Sequence, residues 1–209
     1  MLQLAQKLLE YNLYILPSED APPQSTGWDA LFNTAATQAG YFTSAQAQDA
    51  GYYPQRLQKH LANGKVVRVR RGVYRLVHFP SGEHEELVVL WLWSEQTGTF
   101  SHQTALALHS LSDALPAQVH MTVPAHWRKR RLRVPEGLVL HHADLADSDR
   151  QWFDAVPVTS PLRTLRDCID GHVPPEFVQQ AIAQARQRGL ISRDDEVKLT
   201  VLLDVATGG

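Results

Sequence analysis

Apolar positions recur at helical spacing three times between residues 28 and 62. Trp28, Leu31, Phe32, Ala35 and Ala39 share one helical face before Gly40 breaks the run, and Thr26 with Asp29 has the spacing of a capping box. Thr43 with Gln46 repeats that spacing ahead of a brief helix over residues 44–50, which Gly51 ends. Pro54 opens a third helix, where Leu57 and Leu61 stack one turn apart and Asn63-Gly64 stops the pattern. Gln55, Arg56 and Lys59 then project away from the leucines, and Gln58 flanks them. After Gly64 the period becomes alternating. Val67 and Val69 point one way and Arg68 and Arg70 the other, Arg71-Gly72 reverses the chain, and residues 73–77 return as a partner strand. Helix, short helix, helix, hairpin is the order of a winged helix-turn-helix, whose third helix enters the major groove while the hairpin follows the backbone or the adjacent minor groove.

Past Glu83 apolarity becomes almost continuous. The run LVVLWLW fits a buried helix over residues 83–96 and, by periodicity alone, fits a strand equally well. Ser101 stands where it can cap a helix running through Leu111. QVHMTV, LVLHH and AVPVT read as short strands separated by proline, glycine and acidic turns. Ser160-Pro161 opens a helix over residues 162–169, Pro175 opens one ending near Gly189, and Ser192 with Asp195 caps a last one. The clearest break is PSEDAPPQSTG, residues 17–27, and a softer one is FPSG, residues 79–82. The expected class is α+β: an extension or linker at residues 1–27, a winged helix-turn-helix domain at 28–79, and a mixed α+β C-terminal domain with a helical tail at 83–209.

Charge sharpens this picture. The chain has 209 residues, 44% of them hydrophobic, a composition that supports a folded core. Its 20 Lys and Arg against 22 Asp and Glu make it slightly acidic overall, yet the cations are segregated. Arg56, Lys59, Lys65, Arg68, Arg70, Arg71 and Arg75 fall within residues 53–76, and no carboxylate separates Asp49 from Glu83. Double-stranded DNA is the expected partner: Lys65, Arg68, Arg70, Arg71 and Arg75 supply phosphate attraction, and Gln55, Arg56, Gln58 and Lys59 reach base edges. Charge on a hairpin also protects a sheet edge from aggregation, but that role leaves the caps, the helix order and the polar third helix unexplained. A second basic run, HWRKRRLRV, places Arg128, Lys129, Arg130, Arg131 and Arg133 beside Trp127. It fits a wider DNA footprint, an RNA contact, an acidic protein face or a solvated loop. The densest acidic patches are DLADSDRQWFD and RDDE.

Enzymatic chemistry has weaker support, and no catalytic residue, metal or cofactor is expected. The single cysteine, Cys168, excludes an internal disulfide framework and a multi-thiolate zinc site and fits a reducing compartment. MLQLAQKLLEYNLYIL carries Lys7 and Glu10 and lacks a basic leader and a small-residue cleavage site, which places the protein in the cytoplasm with no membrane partner. His102, His109 and the neighbours His141-His142 show no ligand triad of regular spacing. Asp195-Glu196-Val197-Lys198 echoes the acidic-x-Lys element of metal-dependent nucleases, but acidic residues after the capping Ser192 also complement a helix N-terminus. Ser101-His102 and Cys168 each need a base within hydrogen-bond reach to act as nucleophiles.

The segment FTSAQAQDAGYYPQRLQKHLANGKVVRVRRGVYRL resembles the N-terminal winged-helix domain of the AbiEi family antitoxins. SHQTALALHSL, HMTVP, LHHADL and VPVTSPLRTLRDCID resemble the segments that follow it there. The similarity spans roughly residues 28–170, and its most specific parts are RVRRGVYRL, the Ser-His opening at Ser101, and Thr159-Ser160-Pro161 with Arg163-Thr164 and Asp167. The resemblance implies a DNA-binding antitoxin of a type IV toxin-antitoxin system. Such a protein represses its own operon from operator repeats upstream and counteracts a cognate nucleotidyltransferase-like toxin, directly or indirectly. Two other functions remain open: a transcriptional regulator with a ligand-sensing C-terminal domain, and a metal-dependent nuclease that uses the DNA-binding domain for targeting.

Overall fold

The computed structural model describes residues 27–112 and 116–208. Residues 1–26, and with them the Thr26 cap, lie outside the described residues. The chain is mixed α+β, with helices and two sheets. Helix α1 (Gly27–Ala36) buries Leu31 and Ala35 and stops short of Ala39, because Ala39 and Gly40 turn left-handed at φ 51° and 84°. The Gly40 N–H donates to the Ala35 carbonyl at 2.8 Å, and a Cβ at Gly40 would stand 2.5 Å from the Phe79 ring. Glycine is therefore required there both by the backbone and by space.

Strand β1 (Tyr41–Thr43) runs straight into α2 (Ser44–Asp49), where the expected capping box forms: the Gln46 N–H donates to Thr43 Oγ1 and the Thr43 N–H to Gln46 Oε1. Helix α3 (Pro54–Ala62) leads into β2 (Val66–Arg70) and β3 (Val73–Leu76), giving an antiparallel sheet of order β1-β3-β2. Leu31, Ala35, Phe42, Ala47, Tyr52, Leu57, Val66 and Leu76 form the core between these helices and one sheet face. The expected alternation of β2 is displaced. Val66 is the inward residue, Val67 and Val69 are 46% and 45% exposed, and the ladder is irregular between Arg68 and Arg70. The irregularity between Arg68 and Arg70 breaks the two-residue period within the strand, so its side chains do not keep the expected alternation.

The other face of this sheet is also covered. Tyr41 and Val73 join a second cluster built on α4 (Glu85–Trp93), in which every residue from Leu87 to Leu92 is buried. LVVLWLW is thus a helix with no polar face, because α4 packs against β1 and β3 on one side and β8 of the second sheet on the other. Glu85 and Glu86 in its first turn favour the helix dipole. The second sheet comprises β4 (Thr99–Phe100), β5 (Val119–Val123), β6 (Leu138–His142), β7 (Arg150–Phe153) and β8 (Val156–Thr159) in the order β6-β5-β4-β8-β7. β4 pairs parallel with β8 and β5 parallel with β6, and the other pairs are antiparallel. Helices α5 (His102–Leu108), α6 (Pro161–Asp170), α7 (Pro175–Gln187) and α8 (Arg193–Thr207) enclose a third cluster around Leu106, Leu165, Ile182 and Leu199. The Ser160 cap and the Ser192–Asp195 capping box form as expected. α5 ends before Leu111, and Ser101 makes no side-chain cap: its Oγ lies 2.9 Å from His102 Nδ1 and accepts from the Thr122 hydroxyl at 2.8 Å.

Three histidines remote in sequence meet beside that serine. His102, His120 and His141 stack with interplanar angles of 15° to 26°, the closest centroids 3.5 Å apart, and His120 Nδ1 lies 3.0 Å from His141 Nε2. That contact engages one nitrogen of each ring with the other, and among the described residues no group of three His, Cys, Asp or Glu side chains is placed to hold a metal ion. Burial, reinforced by the neighbouring imidazoles, pushes His102 down to about 3 and His141 down to about 4. No described helix is long and apolar enough to cross a membrane.

Two features of this architecture set measurable stabilities. Gly40→Ala should lower the thermal midpoint by an amount equivalent to about 1–3 kcal/mol, since it combines left-handed strain with a clash against Phe79. The stacked histidines are neutral in the fold, and below their ordinary value of 6.5 the unfolded chain binds protons that the fold refuses. Their contribution is therefore complete above that pH and is lost as pH falls toward about 4 and then about 3. In urea denaturation at pH 7 and pH 5, His141→Asn should show a smaller drop in midpoint between the two than the parent protein. An equal drop would remove the stack as the source of acid sensitivity.

Candidate nucleic-acid interface

Helix α3 turns Leu57 into the core, and this rotation leaves Gln55, Arg56, Gln58 and Lys59 exposed on its outer side. The Gln55 and Gln58 side chains form no hydrogen bond among the described residues. Arg56 lies 5.6 Å over the Tyr52 ring, its Nη1 donating a long hydrogen bond of 3.5 Å to the Gly51 carbonyl, and Lys65 Nζ stands 5.9 Å over Trp28. His60, on the inner side of α3, stacks on Trp28 at 4.8 Å and meets Tyr52 edge-on. Its imidazole is held below the ordinary range, first by burial and then by Lys65, Lys59 and Arg56. This partly buried ring thus sits among three cations of α3 and the turn after it.

The hairpin adds to this positive surface. Arg68 and Arg71 are exposed and Arg70 is half-buried, and none of the three has an ion-pair partner among the described residues. The hairpin turn is tied to the start of α2, because the Ser44 N–H donates to the Gly72 carbonyl at 2.9 Å. The turn, the start of α2 and the outer side of α3 belong to one packed unit, and both α3 and the hairpin lie within the stretch between Asp49 and Glu83 that contains no carboxylate.

Arg75 departs from the expected set. Directly opposite Tyr41 in the ladder, it lies on the sheet face that α4 covers, and its side chain is only 14% exposed. Its Nη2 donates to Glu85 Oε1 at 3.1 Å and to the Phe79 carbonyl at 3.0 Å, and its guanidinium lies 5.5 Å over the Tyr41 ring. The Tyr41 hydroxyl donates to the same carboxylate at 2.6 Å. Burial would raise Glu85, but hydrogen bonds from Tyr41, Gly82 and Arg75 outweigh it and hold the carboxyl below its usual range. Burial, together with Glu85, pushes Tyr41 up to about 12. This cation joins the first sheet to α4 and is not offered to a ligand. Strand alternation could not reveal it, because the side chain faces away from the helices, as an outward residue should, yet a second layer covers that face.

A further link has no signal in residue spacing. Gln38, buried to 3% exposure, donates to the Tyr41 carbonyl at 3.0 Å, and Gln46 Nε2 donates to Gln38 Oε1 at 2.9 Å. Gln96, from the turn after α4, donates to Gln38 Oε1 at 3.0 Å and accepts from Gln46 Nε2 at 3.3 Å. Glu95 and Gln96 both take left-handed backbone, at φ 55° and 61°, to make this approach. Of the three glutamines, spacing marks Gln46 alone, and only as a cap.

The second basic run is ordered rather than a free loop. Residues Ala125–Lys129 make a 3₁₀ turn with Trp127 buried, and Arg130 stacks 3.9 Å from that ring while pairing with Glu95 at 2.6 and 3.2 Å. Arg128, Lys129, Arg131 and Arg133 are exposed.

The residues singled out for chemistry are otherwise engaged. Asp195 Oδ2 accepts from the Ser192 hydroxyl at 2.6 Å, and Glu196 pairs with Arg186 at 3.4 Å. Cys168 is fully buried, and burial pushes its thiol far above the ordinary range. His109 Nε2 lies 2.7 Å from the Thr159 carbonyl.

No curated protein sequence matches this chain. Among solved structures, the crystal structure of the RV2827C protein from Mycobacterium tuberculosis superposes with a TM-score of 0.41 at 12% identity, covering 91% of this chain and 80% of that one. Residues 29–77 match the family described as "Transcriptional regulator, AbiEi antitoxin", and this stretch is the one that holds the three helices and the hairpin. By that match, residues 29–77 are those of an AbiEi-type antitoxin transcriptional regulator.

Proposed function

We propose that residues 28–79 are a winged helix-turn-helix domain and that residues 83–209 form the antitoxin domain of a protein that represses its own toxin-antitoxin operon. In this reading the wing is the β2–β3 hairpin and α3 is the recognition helix. Lys65, Arg68, Arg70 and Arg71 hold phosphates, and Gln55, Arg56, Gln58 and Lys59 reach base edges in the major groove. Repression is by occupancy of operator repeats that obstruct polymerase, in the cytoplasm. Antagonism of a nucleotidyltransferase-like toxin, by contact or indirectly, accompanies it without catalysis by this chain.

The observation that carries this reading is the set of unpaired cations and unbonded amides on one carboxylate-free helix-and-hairpin unit. Positive charge kept free of partners is suited to a polyanion whose bound counterions are released on contact. Two experiments test the reading together: DNase footprinting on the region upstream of the chain's own gene, and growth rescue on co-expression with the product of the adjacent gene. Protection with rescue is expected. Protection without rescue would leave a plain transcriptional regulator, and Mg²⁺-dependent cleavage abolished by Glu196→Ala would replace the reading with a nuclease.

The phosphate-holding and base-reading side chains should separate by mutation. Arg70→Ala combined with Arg71→Ala should weaken binding to operator and random duplexes alike and flatten the salt dependence, by about 0.9 in log–log slope for each phosphate no longer neutralised. Arg56→Ala should instead relax preference at one or two base pairs, at about 1–3 kcal/mol if its hydrogen bonding is bidentate. Fluorescence anisotropy over a salt series measures both effects. Identical behaviour of the two variants on specific and random DNA would contradict the division.

A further inference from the structure

We propose that the cleft between the end of α4 and the edge strand β7 binds a mononucleotide, with the base laid on the Trp152 ring, an acceptor atom of the base facing the Trp91 indole N–H, and the phosphate held by Arg150. The inference is independent of the winged-helix reading, because it concerns the second sheet and a different ligand.

The cleft has a volume of about 570 Å³, within the roughly 300–1,000 Å³ common for small-molecule sites. Trp91, Pro124, Asp147, Arg150, Trp152 and Pro157 are among the residues that line it. Strand alternation puts Arg150 and Trp152 on the same face of β7, and Pro157 stands directly opposite Trp152 in the ladder with β8. A cation and an aromatic ring therefore border one opening.

Two features of this opening have no explanation in folding. Trp91 is 6% exposed, yet its Nε1–H is buried without a hydrogen-bond partner among the described residues, a state that folded proteins rarely tolerate. Trp152 is 65% exposed, a large ring left in water on a strand at the end of its sheet. The two indoles meet edge to face, 5.6 Å between centroids at 87°. A flat ligand laid along Trp152 covers the exposed ring and carries an acceptor toward the unpaired donor.

The rim is fixed by bonds of its own. Asp149 Oδ2 accepts from the Ala146 N–H at 3.2 Å and pairs with Arg163 at 2.9 Å, while the Asp149 carbonyl accepts from the Ser160 N–H at 2.8 Å. Arg163 is steadied in turn by Asp167 at 2.7 Å. These bonds hold the turn that carries Asp147 and Arg150. Both of those side chains are exposed, and neither has an ion-pair partner among the described residues. A fixed rim with free charges needs little reordering to receive a ligand.

The chemistry of these groups selects the ligand. A wholly apolar molecule leaves the indole N–H, Arg150 and Asp147 unpaired. A neutral sugar stacks on Trp152 but gives Arg150 nothing to hold. A nucleotide answers each group: the base stacks and offers ring acceptors, the phosphate meets the guanidinium, and amino or hydroxyl hydrogens meet the Asp147 carboxylate. Purines should bind ahead of pyrimidines, since the larger base covers more of the indole.

Calorimetric titration of the full chain with AMP, GMP, CMP, UMP, adenosine, maltose and a single-stranded deoxyadenosine pentanucleotide tests the inference, with circular dichroism melts to report folding. AMP and GMP should bind most tightly. Trp152→Ala, a change at the surface, should weaken AMP and adenosine alike by about tenfold through lost stacking. Arg150→Ala should bring AMP down to the affinity of adenosine and leave adenosine unchanged. Trp91→Phe, which keeps a ring and removes the donor, should also weaken AMP. Arg70→Ala combined with Arg71→Ala should bind AMP as the parent does, and loss of binding there would overturn the inference by placing the nucleotide on the hairpin. Absence of mononucleotide binding up to millimolar ligand would overturn it, as would unchanged affinity in folded Trp152→Ala or equal affinity of the parent for AMP and adenosine. Binding of maltose alone would assign the ring to a sugar, and binding of the pentanucleotide alone would assign it to a nucleic-acid strand; each result would overturn the mononucleotide site.

Discussion

The burial of α4 between two sheets is the constraint on which the architecture turns. A helix with six consecutive buried residues cannot sit at a surface, and each large apolar side chain on it contributes about 1.5–3 kcal/mol by leaving water. Both neighbours are shaped by that demand. The first sheet must present an apolar rear face, which Tyr41 and Val73 supply, and the second must present Phe100, Met121, Val156 and Val158 toward the same cluster. The helix is therefore the common wall of two layers that each have a core of their own on the far side.

The electrostatics follow from this layering. A sheet with one free face could scatter its cations on both sides. With the rear face closed, the cation that points rearward, Arg75, is neutralised by Glu85, and the remaining ones stand toward α3 and the hairpin tip. The segregation in sequence thus becomes a segregation in space only after one member is subtracted. His60 lies among these cations, its imidazole lowered first by burial and then by Lys65, Lys59 and Arg56.

Much of the N-terminal unit was legible because its signals are local. The Thr43–Gln46 box, Pro54 at a helix start and the Asn63-Gly64 stop each act within a few residues, and each appears where spacing placed it. The failures share one cause. Val67 and Val69 lie beside a break in register that only the pairing with β3 shows, Arg75 faces a layer that begins ten positions further along the chain, and LVVLWLW is ambiguous until both of its neighbours are known. β4, with two residues, is too short to carry a period, and β7 is hidden by the acidic turn before it. The histidine stack and the Gln38–Gln46–Gln96 cluster depend wholly on tertiary approach, for which no residue spacing gives a signal.

The clasp formed by Tyr41, Arg75 and Glu85 bears on how this chain can be rearranged. Two of its members lie before the loop at residues 79–82 and the third just after it, so the natural-looking seam between the two halves is not a clean one. A shuffled gene that joined the first half to a foreign body would inherit a guanidinium with no counter-ion and a bare apolar sheet face. Recombination can therefore exchange the tail helices α7 and α8 more freely than it can exchange α4, which behaves as part of the first sheet it covers.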